Sequence, residues 1–205
     1  MSHGHAAIVL AAGGSRRLGR PKQLLPRAGA PLLRHVLDLV ASTRPLRAVL
    51  ILGGHRDAIR AALGPALPAP FEAIEHAGWD TGLAGSLACA ARALADHAGP
   101  VLIVGSDQPA LNALHLRALL DGAAQVASRC AAVLHGDRPG IPAVVSPALL
   151  ATAAGLQGDR GFGAGLAALP EAELFRLHAP LLGHDLDSED DVRVAIAQGW
   201  LDADA

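Results

Sequence analysis

Lys22 is the only lysine among 205 residues, and the segment leading to it, Gly13-Gly14-Ser15-Arg16-Arg17-Leu18-Gly19-Arg20-Pro21, holds no acidic side chain. Small residues let backbone N–H groups face an anion at close range, while Arg16, Arg17 and Lys22 neutralise it. A compact ammonium on a flexible stem suits a phosphate group that moves during reaction, and an arginine fork is not its equivalent. The segment is not a Walker loop. Gly14 and Gly19 have that motif's separation, but Arg20-Pro21 stands where Lys and Ser or Thr are required, and there is no G-x-G-x-x-G here. It reads as a phosphate cradle, the alternative being a surface turn with solvated arginines.

Carboxylates that could face such a loop lie far along the chain. The apolar run Val101–Val104 leads through Gly105-Ser106 to Asp107, and in open α/β sheets ligands gather beyond the carboxyl ends of the strands. Magnesium needs only one or two carboxylates plus phosphate oxygens, so Asp107 could join a metal to an anion on the first loop. Asp107 also fits a turn cap before Pro109. In His184-Asp185-Leu186-Asp187-Ser188, extended alternation puts Asp185 and Asp187 on one side, where either could be a second metal ligand or part of an acidic helix entry. The turn Gly78-Trp79-Asp80-Thr81-Gly82 opens a helix, so Ser86 or nearby N–H groups could hold substrate, or Ser86 could cap the helix. His3 and His5 read as exposed N-terminal residues rather than metal ligands. Cys89 and Cys130 lack metal-ligand spacing, and no nucleophile elbow is present.

These groups need a scaffold. Apolar runs at Ala6–Ala11, Ala48–Leu52, Phe71–Glu75 and Val101–Val104 predict strands, and Pro31–Ala41, His55–Leu63 and Leu83–Ala95 predict helices between them. That rhythm implies an α/β three-layer sandwich with a mainly parallel, Rossmann-like sheet. A helix over 112–127, strands at Ala131–Leu134 and Ala143–Val145, and two short helices within 146–169 follow. Ser188 and Asp191 have capping-box spacing for a last helix near Glu189. Pro65–Pro70 is too short to divide domains, so one domain over residues 1–205 is expected.

The net charge of −2 hides an asymmetry, since six cationic residues precede the first acidic one, Asp38, while the tail is crowded with aspartates. Aromatics are only 2% and the chain is not basic overall, which argues against nucleic acid. Without about 18 consecutive apolar residues, neither a membrane span nor a signal peptide is supported, and a cytoplasmic protein is expected.

Leu10-Ala-Ala-Gly-Gly-Ser-Arg-Arg-Leu-Gly-Arg-Pro-Lys22 resembles the L-A-A-G-x-S-x-R-x-G…K signature of MobA-like nucleotidyltransferases. Trp79–Ser86, Gly105–Pro109, Gly140-Ile-Pro142, Gly158-Asp-Arg-Gly161 and Asp185–Asp190 are similar to later motifs of the molybdenum cofactor cytidylyltransferase branch. The resemblance covers nearly the whole chain. It implies a nucleotidyltransferase fold, with Leu10, Ala11, Ala12, Gly13, Gly14, Ser15, Arg16, Arg17, Lys22, Gly82 and Ser86 binding nucleotide. It further implies catalytic roles for Arg17, Lys22 and Asp107, and Mg²⁺ on Asp107 with Asp185 or Asp187. The implied reaction moves CMP from CTP to a phosphorylated small-molecule acceptor, molybdenum cofactor, with a molybdoenzyme or its chaperone as partner. Ala12, where guanylyltransferase relatives usually have Gly, leans toward CTP over GTP. Phe162-Gly163 stand where the branch usually has Ala-Arg, which leaves the acceptor open. Guanylyl or sugar-phosphate transfer, or non-catalytic nucleotide binding for cofactor delivery, are the alternatives.

Overall fold

Ala6–Ala11 form strand β1, which is flanked by parallel strands on both sides and covered on both faces, so that apolar residues are required throughout. The computed structural model describes residues 4–64 and 66–205; His3 and Pro65 lie outside the described residues. After β1 come the short hairpin β2 (Pro26–Arg27) and β3 (Ala30–Pro31), then α1 (Leu32–Ser42), β4 (Arg47–Leu52), α2 (Arg56–Leu63), β5 (Phe71–Glu75), α3 (Leu83–Ala93) and β6 (Val101–Gly105). The second half holds α4 (Ala113–Gln125), β7 (Cys130–His135), β8 (Arg138–Val145), α5 (Pro147–Ala151), α6 (Gly163–Ala167), β9 (Leu174–Leu177) and α7 (Glu189–Ala197).

The seven-stranded sheet has the order β5-β4-β1-β6-β8-β7-β9. It is the expected mainly parallel sheet, with β8 antiparallel to both neighbours. Side-chain alternation sends Ala7, Val9, Ala11, Leu50 and Leu102 to one face, under α1, α2 and α4. It sends Ile8, Ile51 and Ile103 to the other, under α3, α5 and α6, which completes the three layers. The chain steps from β1 through β4 to β5, then returns to β6 on the other side of β1. The end of β1 is therefore a switch point where a crevice opens.

Four strands exceed the sequence expectation: β2 and β3, whose Pro31 the sequence placed in a helix, and two in the second half. β8 starts at Arg138 rather than Ala143, because a tight turn at Gly136 pairs it with β7 despite Pro139, Gly140 and Pro142. The four-residue β9 went unread and gains its pairing from β7. A third apolar cluster of Leu18, Leu25, Leu32, Leu186, Val192, Ala195 and Leu201 fastens the loop after β1 to α7. α7 begins at the capping box expected from Ser188 and Asp191. Asp202 adds to this fastening by accepting from the Ala28 and Gly29 N–H groups at 2.7 and 2.8 Å. Among the described residues no helix is long and apolar enough to cross a membrane.

His5 is half-buried against Thr43 Oγ1 at 2.9 Å, not exposed as the sequence suggested. Burial holds His5, His35 and His115 below the ordinary imidazole value, with His97 adding to the effect at His5 and Arg27 at His35. Below about pH 6.5 the unfolded chain then binds protons that the native state refuses, so these groups cost stability as pH falls through that range. Denaturant unfolding at pH 7.5 and 5.5 should show a loss on acidification that shrinks when His35 and His115 are both replaced by Gln. An equal loss in that variant would contradict the assignment.

Candidate active site

Past β1 the chain turns back on itself. Gly19 takes φ +73°, a left-handed conformation that favours glycine, and its N–H donates to the Ser15 carbonyl oxygen at 2.9 Å. The Lys22 N–H donates to Ser15 Oγ at 3.2 Å, and Leu18 anchors the arch in the third cluster. Beneath it the buried Gln23 carboxamide donates from Nε2 to the carbonyls of Ala11 and Gly13 at 3.4 and 3.2 Å. Gln23→Leu would leave both carbonyls without that partner. Denaturant unfolding should show a loss of about 1–3 kcal/mol; wild-type stability would contradict the brace.

Asp107 stands just beyond β6. The Leu186 N–H donates to the Asp107 backbone carbonyl at 3.0 Å, and Leu186 is buried, so Asp185 and Asp187 on either side of it turn into the same space. Gln108 ties this junction together, its Nε2 donating to the carbonyls of Leu182 at 2.9 Å and Ile141 at 3.3 Å. Lys22 Nζ lies 2.7 Å from Asp107 Oδ2 and 2.9 Å from Asp187 Oδ1, and Arg17 takes the other oxygen of Asp187. Burial alone would lower the Lys22 value, but the charge of Asp107 and hydrogen bonds to Asp107 and Asp187 outweigh it and hold the ammonium above the usual lysine range. Asp185 lacks such a partner. Asp185 is an exposed residue at the rim, yet desolvation of its carboxyl within the cleft and then the Asp107 charge push it up to about 6, against the pull of Gln108, Lys22 and His135.

These elements enclose an open cleft of about 690 Å³. It brings together Leu10, Ala12, Gly13, Gly14, Ser15, Arg16, Arg17, Lys22, Gly82, Ser86, Asp107, Asp185 and Asp187. Ala11 does not line it: strand alternation turns its methyl into the core between sheet and α1, and only its carbonyl bears on the site. Ser86 is not the cap of α3 either. Gly82 occupies that position, and Ser86 sits one turn inside, nearly buried on the cleft wall. Sequence reasoning passed over Gln23, Trp79, Asp80, Ile141 and Asp159 as site residues, though all line the cleft. Gln23 and Trp79 carried a signal, being adjacent to Lys22 and the one aromatic in a glycine-rich turn; Ile141 and Asp159 lay within motifs the sequence singled out, but their place in the cleft comes from long-range packing.

Among the described residues no three His, Cys, Asp or Glu side chains gather into a metal-binding cluster. A hard divalent cation needs only one or two carboxylates when phosphate supplies further oxygens. Asp107 and Asp185 fit that demand, since both line the cleft and the Asp107 charge raises the cost of charging Asp185, which a cation would relieve. Asp187 has both oxygens committed to Arg17 and Lys22.

The model of the MobA-like NTP transferase domain matches residues 7–173, and the chain belongs to that family. It is 34% identical over 143 residues to the bifunctional protein GlmU of Paraburkholderia xenovorans strain LB400, covering 69% of this chain and 30% of that protein. The chain thus spans 25% to 30% of the length of the curated relatives it matches. A crystal structure of Rv0371c from Mycobacterium tuberculosis H37Rv is similar with a TM-score of 0.77 at 27% identity, covering 96% of this chain and 99% of that one. The structure of the same protein in complex with manganese gives a TM-score of 0.72 at 26% identity, covering 96% and 100%.

Proposed function

We propose that this protein transfers a nucleotidyl group from a nucleoside triphosphate, CTP by preference, to a phosphorylated acceptor, molybdenum-bound molybdopterin, releasing pyrophosphate. The single observation that carries this reading is Lys22 Nζ set between Asp107 and Asp187 at the mouth of the glycine and arginine loop. An ammonium has three donors. Two are directed at carboxylates, which leaves one for a phosphate oxygen in the cleft.

In this mechanism the backbone N–H groups of Gly13 to Arg16 and the side chain of Arg17 hold the β- and γ-phosphates. An oxygen of the acceptor phosphate attacks the α-phosphorus, the bond to the β-phosphate oxygen breaks, and pyrophosphate leaves with the electron pair. Lys22 stabilises charge gathering on the α-phosphate and the leaving group, and Asp187 keeps Lys22 and Arg17 aimed. No protein nucleophile is needed, so positioning and electrostatics supply the catalysis. Asp107 and Asp185 would hold Mg²⁺, which neutralises phosphate charge and orients the triphosphate when bound. The manganese complex of the structurally similar Rv0371C supports a divalent ion in this cleft. The described residues would work as one nucleotidyltransferase domain, since the apolar clusters on both faces share one sheet.

One observation favours a second acceptor, a sugar phosphate. Phe162 is buried and, like Gly163, is not among the residues that line the cleft, whereas Asp159 lines it. A carboxylate accepts hydrogen bonds from hydroxyls, which a sugar phosphate carries in number. Pyrophosphate release from CTP and Mg²⁺ should appear with molybdenum-bound molybdopterin and be weaker with hexose 1-phosphates. Release only with the sugar phosphates would favour the second acceptor, and none with any acceptor would favour a cofactor-delivery binder.

A further inference from the structure

We infer that Trp79 is the platform on which the donor's nucleobase stacks, with Arg16 closing over the base from the opposite side; this rests on the triphosphate reading of the cleft. Trp79 is the only Trp, Tyr or Phe among the described residues that line the cleft. Its side chain lies along a slot made by three glycines at the ends of β1 and β4. A Cβ on Gly14 would stand 2.6 Å from the ring, one on Gly53 2.5 Å from Trp79 Cβ, and one on Gly54 3.0 Å from the ring. Any larger residue at these positions would push the indole out of place. The slot is tied to the phosphate loop, since the Gly54 N–H donates to the Ala12 carbonyl at 3.0 Å and His55 Nε2 lies 2.9 Å from the Gly14 carbonyl oxygen.

The Arg16 guanidinium carbon lies 5.7 Å from the indole centroid. An aromatic ring inserted between them needs about 3.5–4 Å on each side, so the exposed Arg16 would move outward by roughly 1–2 Å. Trp79 stands on the β4 side of β1, whereas Asp107 and Ile141 stand on the β6 and β8 side. A nucleotide whose phosphates reach Lys22 and Asp107 leaves its base to the Trp79 side and the opposite side free for the acceptor. Stacking on a π-face tolerates any base, so Trp79 would supply affinity and orientation, leaving base choice to other groups.

The test compares CTP with inorganic tripolyphosphate, each with Mg²⁺, by calorimetry and by fluorescence in a Trp200→Phe background where Trp79 is the sole emitter. CTP should quench Trp79 and bind roughly 10- to 100-fold more tightly than tripolyphosphate, which should not quench it. Trp79→Leu should erase that ratio by weakening CTP alone, and Trp79→Phe should keep most of it. Equal affinity of the two probes, or a ratio unchanged in Trp79→Leu, overturns the assignment while leaving the phosphate site intact. Failure of both probes to bind would defeat the triphosphate reading and this inference with it. If Trp79→Leu does not fold, the quench and the Trp79→Phe ratio decide.

Discussion

Lys22→Ala is expected to slow pyrophosphate release by about 10²- to 10³-fold at saturating CTP, the scale of removing one preorganised charge-stabilising group. The size of the effect follows from position. The Lys22 side chain is 13% exposed, and its ammonium lies within 3 Å of two carboxylates that keep it charged. Its removal subtracts positive charge at the reacting phosphates and leaves Asp107 and Asp187 to repel them. Lys22→Arg should rescue only in part, because a planar fork cannot occupy the point between two carboxylates that an ammonium fills. Single-turnover kinetics on folded protein, checked by its melting temperature, measures this. Turnover within a factor of two of wild type in Lys22→Ala would contradict the role.

Asp107→Asn should bring a loss of similar size by another route. Asp107 is both a partner of Lys22 and the source of the repulsion that raises Asp185, so its neutralisation weakens the hold on a divalent ion and loosens Lys22. A bound ion supplies several kcal/mol of charge stabilisation, so a fall of about 10²-fold or more in turnover is expected at modest Mg²⁺, lessened as Mg²⁺ is raised. The midpoint of the Mg²⁺ titration should move to higher concentration, whereas Lys22→Ala, which removes a cation competing for Asp107, should not raise it. An unshifted midpoint in Asp107→Asn would remove Asp107 from the metal site.

What could be read from the chain alone was local. Ala6–Ala11 had to be an interior strand because six small or apolar residues in a row leave no face for water, and Ser188 with Asp191 announced the start of α7 through spacing alone. The glycine and arginine loop and its sole lysine were likewise contiguous. The register of the sheet, which sets Leu10 level with Ile51 on one side and Gly105 on the other, then brought Asp107 to the same end as that loop. Less legible was whatever depends on partners distant in sequence. β9 is a strand only because β7 offers it an edge, and Ser86 resembled a cap until Gly82 took that place. Alternation at Asp185 and Asp187 correctly put both in the cleft, but their different circumstances come from Lys22 and Arg17 meeting one of them and not the other.

The most direct measurement is isothermal titration of the wild-type chain with each of the four nucleoside triphosphates, with and without Mg²⁺. One site per chain is expected, tightest for CTP, strongly weakened when EDTA removes the metal and weakened again in Lys22→Ala. Absence of heat with all four, or binding that is indifferent both to metal and to Lys22, would contradict a shared triphosphate and cation site between the loop after β1 and the carboxylates beyond β6.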